Sequence, residues 1–165
     1  MKIRTLILLL ALTLAAGLAP VYAQPDTQGA QVTEELKALM QKIIDAWSTL
    51  DISKPAPYYD AEDKHVFYDI SPLKYTGWKE YADASQKMFA GLSSLKFTLA
   101  KDIQTHRRGN VAWGTATWQA EMVPKDGKTE NLEGRWTVIW EKRGDIWLVV
   151  HEHVSVPLPP MPEKK

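Results

Sequence analysis

The feature that most constrains the fold is a change of hydrophobic period near residue 93. From there on, apolar and polar residues alternate with a period of two, which is typical of β-strands with one buried face. Four long strands are predicted, with the sequences LKFTLAKDIQTHRR, VAWGTATWQAEMV, LEGRWTVIWEKR and DIWLVVHEHVSVP. Tight reversals separate them at Gly109-Asn110, Lys125-Asp126-Gly127 and Arg143-Gly144-Asp145. Connections this short join antiparallel neighbours.

The part of the domain before these strands is predicted to be mainly helical. The segment TEELKALMQKIIDAWSTLD, with Thr33 as its N-cap, places an apolar stripe on one face of a helix. Next come PAPYYDA, which can form one or two helical turns, the strand KHVFYDI and the turn SPLKYTG. A second helix, GWKEYADASQKMFAG, is capped by Thr76 and ends near Gly91. This order predicts an α+β fold in which about three N-terminal helices pack on one face of an antiparallel sheet.

The N-terminus is predicted to be a targeting segment. Lys2 and Arg4 precede an apolar run, Leu6 to Leu18, and small residues lead up to Ala23. Residues 1–23 are therefore interpreted as a secretory signal peptide, with a retained N-terminal anchor as the alternative. The interpretation predicts an exported protein, either periplasmic or secreted.

The remaining chain divides into three parts and has little net charge. Residues 24–32 are predicted to be a flexible leader, residues 33–157 the folded domain and residues 158–165 a proline-rich tail. The chain has 20 basic and 20 acidic residues, and removal of Lys2 and Arg4 leaves a formal charge of −2. That charge argues against a nucleic-acid partner. The lack of cysteine excludes disulfides, iron–sulfur clusters and thiol nucleophiles.

The alternation assigns side chains of two strands to opposite faces of the sheet. The even positions of residues 112–122 are small or apolar and include Trp118, and those of residues 132–140 include Gly134 and Trp136. Small residues beside tryptophans predict a sheet that bends strongly and leaves room above this face. Trp118 and Trp136 are therefore candidate walls of a pocket.

The last strand is largely apolar on both faces, which predicts a central position in the sheet. By strict alternation His151, His153 and Ser155 share one face, and Glu152 points to the other. Two histidines at this spacing are close enough to bind one metal ion if His65, Asp69 or Asp60 supplies a third ligand. No ligand-rich spacing repeats nearby, so we expect neither a metal nor another cofactor.

The order of these segments resembles that of a known family. The long first helix, YYD, VFYDISP, TGWKEY and the closing hairpin RWTVIWEKRGDIWLVVHEHVSVP are similar to the SnoaL-like branch of the nuclear-transport-factor-2-like superfamily, over about residues 33–157. The resemblance implies a cone, in which a curved antiparallel sheet wraps around the helices and encloses a pocket. It also implies homodimers that form through the outer face of the sheet.

The resemblance further implies which residues face the pocket and what the pocket binds. A small, largely apolar organic molecule is the expected ligand. Glu152 is expected on the outer face, where a second copy would pack. The expected pocket residues are Trp47, Tyr58, Tyr59, Trp118, Trp136, His151, His153 and Ser155.

By the same resemblance, Asp69 lies where ketosteroid isomerases carry their catalytic base. The positions of their two oxyanion donors correspond to Ile43 and Trp136, so the resemblance does not extend to that reaction. One hypothesis pairs Asp69 with His151 or His153 for acid–base catalysis, as an isomerase, dehydratase or hydrolase. The other is a passive binding pocket in which Asp69 only stabilises its own turn. The sequence leaves both open.

Overall fold

The computed structural model describes residues 27–158. The predicted signal peptide and residues 159–165 of the predicted tail lie outside this range. In chain order the elements are α1 (Thr27–Trp47), a 3-10 turn (Ala56–Tyr58), β1 (Val66–Tyr68), β2 (Tyr75–Thr76), α2 (Gly77–Ala90), β3 (Leu92–Leu99), β4 (Gln104–Arg108), β5 (Val111–Pro124), β6 (Glu130–Arg143) and β7 (Ile146–Ser155). Within residues 27–158, no helix is long and apolar enough to cross a membrane.

The strands form one mixed sheet in the order β2-β1-β7-β6-β5-β3, with β4 also paired to β5. The predicted α+β class is confirmed, and β7 occupies the predicted central position. One pairing differs from the prediction, because β1 and β7 run parallel with Phe67 opposite Glu152. A parallel pair requires a long crossover, and here the crossover contains α2 and the whole β3–β6 meander.

The three predicted reversals are present, but the first long strand is divided. The segment predicted as one strand forms β3 and β4, and both pair with the same edge of β5. Between them Asp102 accepts hydrogen bonds from the amide (3.1 Å) and the hydroxyl (2.9 Å) of Thr117. This anchor holds the chain against β5 while it changes course.

The first helix begins earlier than predicted. It starts at Thr27, so residues 27–32 of the predicted flexible leader are helical. Thr33, the predicted cap, lies inside the helix and donates its hydroxyl to the carbonyl of Gly29, four residues earlier (2.9 Å). A threonine within a helix can bond back in this way instead of capping. The second helix has the predicted bounds, and Glu80 rather than the Thr76 hydroxyl binds the backbone amide at its start (2.7 Å).

The core lies between the two helices and the apolar face of the sheet. The predicted stripe of α1 is buried, with Leu36, Met40 and Ile43 fully covered. Indole rings occupy the room that small residues leave on the sheet. A Cβ atom at Gly114 would lie 2.8 Å from the ring of Trp140, and one at Gly134 would clash with Trp118. The glycines therefore let two tryptophans lie flat against the strands.

Candidate functional site

A cavity of about 260 Å³ opens between the helices and the sheet. Its wall is apolar and aromatic, with four polar side chains, and Ile70 and Met88 are half-exposed where it meets solvent. The apolar lining residues are Ile44, Trp47, Ile70, Tyr81, Met88, Phe89, Leu95, Phe97, Trp118, Ala120, Met122, Leu132, Trp136 and Val154. The polar ones are Asp69, Ser71, Ser85 and Glu152. Such a wall suits a small, largely apolar guest.

Glu152 is the most buried polar group of the cavity, with 2% of its surface exposed. The indole of Trp136 donates to Oε2 (2.9 Å), and the hydroxyl of Tyr59 lies 3.1 Å from Oε1 and 3.0 Å from Oε2. Tyr81 is a further hydrogen-bonding partner. Trp47 donates its indole N–H to the Tyr59 hydroxyl (2.8 Å), which leaves that hydroxyl proton for Glu152. A chain of neutral donors therefore fixes the carboxyl group in place.

These surroundings change the acidity of Glu152. Burial raises its pKa from an ordinary 4.5 to about 7, because an anion loses hydration in the apolar cavity. Hydrogen bonds from Tyr81, Trp136 and Tyr59 oppose this rise, and repulsion from Asp69 adds to it. A carboxyl group that exchanges its proton near neutral pH can act as an acid or a base toward a bound molecule.

Asp69 is the second carboxyl group of the cavity. It follows β1, is half-buried and has a raised pKa, because burial outweighs the hydrogen bond from the Ile70 amide (2.7 Å). That bond stabilises the local turn, as expected from the structural interpretation of Asp69. The same side chain also lines the cavity. One carboxylate therefore stabilises the turn and also forms part of the cavity wall.

No positive charge compensates these two carboxyl groups. In the described part of the chain, no lysine, arginine or histidine lines the cavity. Within residues 27–158, neither Asp69 nor Glu152 takes part in an ion pair. The cavity is thus an apolar space with two acidic groups and no basic one.

The expectation that His151, His153 and Ser155 point into the cone is wrong. His151 pairs with Ile139, whereas Val149 pairs with Trp140, so β7 contains one extra residue between them. This β-bulge reverses which residues face inward in the second half of the strand. Glu152 is buried in the cavity instead of lying on the outer face, and none of the three predicted residues lines the cavity.

On the outer face the two histidines lie beside Tyr68. The Tyr68 ring is 5.4 Å from the His151 ring and 5.8 Å from the His153 ring, edge to face in both cases. The Nδ1 atom of His151 lies 2.6 Å from the carbonyl oxygen of Val66. The structure therefore does not bring either histidine together with Asp69 inside the cavity, as the acid–base pair would require.

The other predicted pocket residues are divided between the wall and the shell behind it. Trp47, Trp118 and Trp136 line the cavity. Tyr59 lies behind the wall and reaches the site only through its hydrogen bond to Glu152. Tyr58 is half-buried and does not line the cavity.

The candidate ligands of the metal alternative lie in different places. Asp60 and His65 are buried together with 3.4 Å between their side chains, and Arg143 lies 3.2 Å from Asp60. His151 and His153 are on the outer face, and Asp69 lies in the cavity. Across residues 27–158, no group of three or more histidine, aspartate or glutamate side chains could hold a metal ion.

Two functional candidates were missed at the level of sequence, Glu152 and Tyr81. Tyr81 lies within the second predicted helix, where the sequence gives it no chemical role. The alternation contains no signal for Glu152, since residues 146–150 are apolar at odd and even positions alike. Trp147 and Val149 face inward before the bulge, and Glu152 follows it.

Comparisons with solved structures support the fold. A nuclear transport factor 2-like superfamily protein from Salmonella enterica serovar Typhimurium LT2 aligns with a TM-score of 0.73 at 20% identity, covering 82% of this chain and 99% of that one. A protein of unknown function from Pseudomonas putida KT2440 has a TM-score of 0.68 at 23% identity, with 82% and 93% covered. A protein from Streptomyces avermitilis, described as a proposed dehydratase of the same family, has a TM-score of 0.69 at 15% identity, with 79% and 99% covered.

The sequence comparisons give one result at the level of the family. No curated protein matches the chain. The sequence profile of the SnoaL-like domain matches residues 36–159, which include α1 from its first buried leucine and every strand of the sheet. The chain therefore belongs to the family of SnoaL-like domains.

Proposed function

We propose that this domain binds a small, largely apolar organic molecule in its cavity. The observation that carries the proposal is the apolar, aromatic wall of a 260 Å³ space with only a few polar groups. Ligand sites in proteins have this composition, and their volumes begin at about 300 Å³. The cavity accordingly suits a compact guest.

A neutral fluorescent dye provides the test. N-phenyl-1-naphthylamine should bind saturably at one site per chain and gain fluorescence as it leaves water. The Ala120→Phe variant should abolish this binding, because Ala120 lines the cavity and a larger ring would fill it. Gln119→Phe is the matched control, since Gln119 is an exposed neighbour on the same strand. Unsaturable binding, or full binding by Ala120→Phe, would contradict the proposal.

A second candidate function is acid–base catalysis by Asp69 and Glu152. Two carboxyl groups without a cation favour it, because one of them can stay protonated while the other ionises. Glu152 would take the place that the histidines held in the sequence-based hypothesis. A dehydratase-like or isomerase-like step needs a proton removed next to a polar group and returned to another position or to water.

Deuterium exchange of 2-tetralone separates catalysis from passive binding. In heavy water the carboxylate would remove a proton from the carbon next to the carbonyl and return a deuteron, which NMR detects. Asp69→Asn and Glu152→Gln should each abolish the acceleration, and the exposed Glu130→Gln should not. Exchange at the uncatalysed rate, or unchanged exchange in both cavity variants, would leave binding as the function.

Two further expectations belong to this proposal. Export would be supported by Edman sequencing of the protein recovered from its native compartment, with Gln24 as the first residue. A cytoplasmic protein that retains Met1 would contradict export.

Homodimer formation through the outer sheet face would be supported by a twofold mass in analytical ultracentrifugation that Thr137→Arg reduces to the monomer mass. A monomer at all concentrations would contradict it.

A further inference from the structure

We propose that the ligand of this cavity is a hydrophobic organic cation, such as a protonated amine. The inference rests on the proposed binding function and names the chemical class of the guest. Its basis is the charge of the wall. Asp69 and Glu152 contribute two carboxyl groups, and among residues 27–158 no lysine, arginine or histidine lines the space.

The lack of a nearby positive charge distinguishes this site from an ordinary buried carboxylate. A buried anion is normally paired with a cation or with several charged donors. Among residues 27–158 Glu152 has only neutral donors, and Asp69 accepts one hydrogen bond, from the amide of Ile70. A bound ammonium group would supply the missing charge and could donate to the Asp69 oxygen that carries no hydrogen bond.

The aromatic wall suits the same class of guest. Trp47, Tyr81 and Trp136 lie on the Glu152 side, where Trp136 and Tyr81 bond to the carboxyl group itself. Indole and phenol faces attract organic cations through the ring quadrupole. An anionic guest would instead meet two carboxyl groups and no cation, so the wall discriminates by charge.

Three probes of the same shape test the charge preference. Benzylamine, benzyl alcohol and benzoate would be titrated into the full-length protein by calorimetry at about pH 8, above the pKa of about 7 that burial gives Glu152. Benzylamine should bind roughly tenfold more tightly than benzyl alcohol, the factor expected of one charge-assisted hydrogen bond. Benzoate should not bind measurably.

Substitutions of the two carboxyl groups test whether the preference for a cationic probe arises in the cavity. Asp69→Asn and Glu152→Gln should each reduce the advantage of benzylamine over benzyl alcohol. Glu130→Gln, which removes an exposed carboxylate, should change neither affinity. Equal or tighter binding of benzyl alcohol or benzoate would overturn this inference and leave the proposed function in place. Failure of all three probes to bind would overturn both.

Discussion

Two buried carboxyl groups of this domain have opposite surroundings. Asp60 is 7% exposed and lies 3.2 Å from the guanidinium of Arg143 and 3.4 Å from His65. Glu152 is 2% exposed and has only neutral donors, with Asp69 as the nearby charge that affects it. Both are buried acids, but only one of them has basic partners.

The difference is expressed in the two pKa values. Burial by itself would raise the pKa of Asp60, but hydrogen bonds from the Glu62 amide and Arg143, together with the nearby His65 ring, outweigh it and hold the pKa below the ordinary value. Burial dominates at Glu152 and raises its pKa to about 7. A buried carboxylate that is paired with a basic side chain holds neighbouring segments of the fold in place. A carboxyl group in a cavity without such a partner can bind a ligand or exchange a proton.

The largest expected effect is the cost of ionising Glu152. The folded protein keeps the Glu152 proton up to about pH 7, whereas the unfolded chain releases it near 4.5. The contribution of Glu152 to the free energy of unfolding should therefore be fully present below pH 4.5 and fall by about 3 kcal/mol as the pH rises to 7. Urea denaturation across this range should show the fall in the wild type and in Glu130→Gln. Its persistence in Glu152→Gln would assign it to another group.

The next largest effect is expected at Asp60. Asp60→Asn replaces one carboxylate oxygen by an NH2 group, which cannot accept from Arg143, and removes the negative charge beside Arg143. We expect a loss of about 2 kcal/mol in the free energy of unfolding, measured by urea denaturation at neutral pH. Asp83→Asn, which breaks the exposed pair with Lys79, should cost less than about 1 kcal/mol. Equal costs for the two variants would show that the Asp60 cluster adds no stability beyond a surface pair.

The pH dependence contributed by Asp60 should have the opposite sign to that of Glu152. Its pKa is lowered on folding, so its stabilisation is present above the ordinary value of 3.8 and is lost as the pH falls through the folded-state pKa. Acid denaturation followed by circular dichroism should therefore be less steep in Asp60→Asn than in the wild type. An unchanged acid limb would contradict the pairing of Asp60 with its cations.

The smallest effect is expected on the outer face. His151→Ala and His153→Ala should change the affinity for N-phenyl-1-naphthylamine by less than about twofold, because neither side chain lines the cavity. Trp136→Phe should weaken the same binding further than either histidine variant, since it alters the wall and removes a donor to Glu152. A histidine variant that abolishes binding would contradict the inward assignment of Glu152.

Much of the fold could be predicted because local patterns and tertiary contacts agree. The apolar stripe of α1 and the even faces of β5 and β6 are buried as their periods predict. The break between β3 and β4 was missed, since nothing in the alternation marks the turn that Asp102 anchors to Thr117. The parallel pairing of β1 with β7 joins distant segments, and a short strand contains no signal for its partner.

The site was predicted less well because it depends on one inserted residue. Asp69, Trp118 and Trp136 were identified correctly as facing the cavity. His151 and Glu152 were exchanged between faces, since a bulge at Val150 shifts the alternation by one position. The bulge arises in the pairing of β7 with β6. The hydrophobic period of a single strand gives no information about that pairing.

The most direct test of the account is the titration of Glu152 itself. Carbon-13 NMR of side-chain carboxyl groups, with Glu152 assigned by comparison to Glu152→Gln, would follow its protonation in the unliganded protein. We expect a midpoint of about 7, because Glu152 is buried and no cation among residues 27–158 pairs with it. A midpoint near the ordinary 4.5 would place Glu152 in solvent or beside a positive charge and contradict the account.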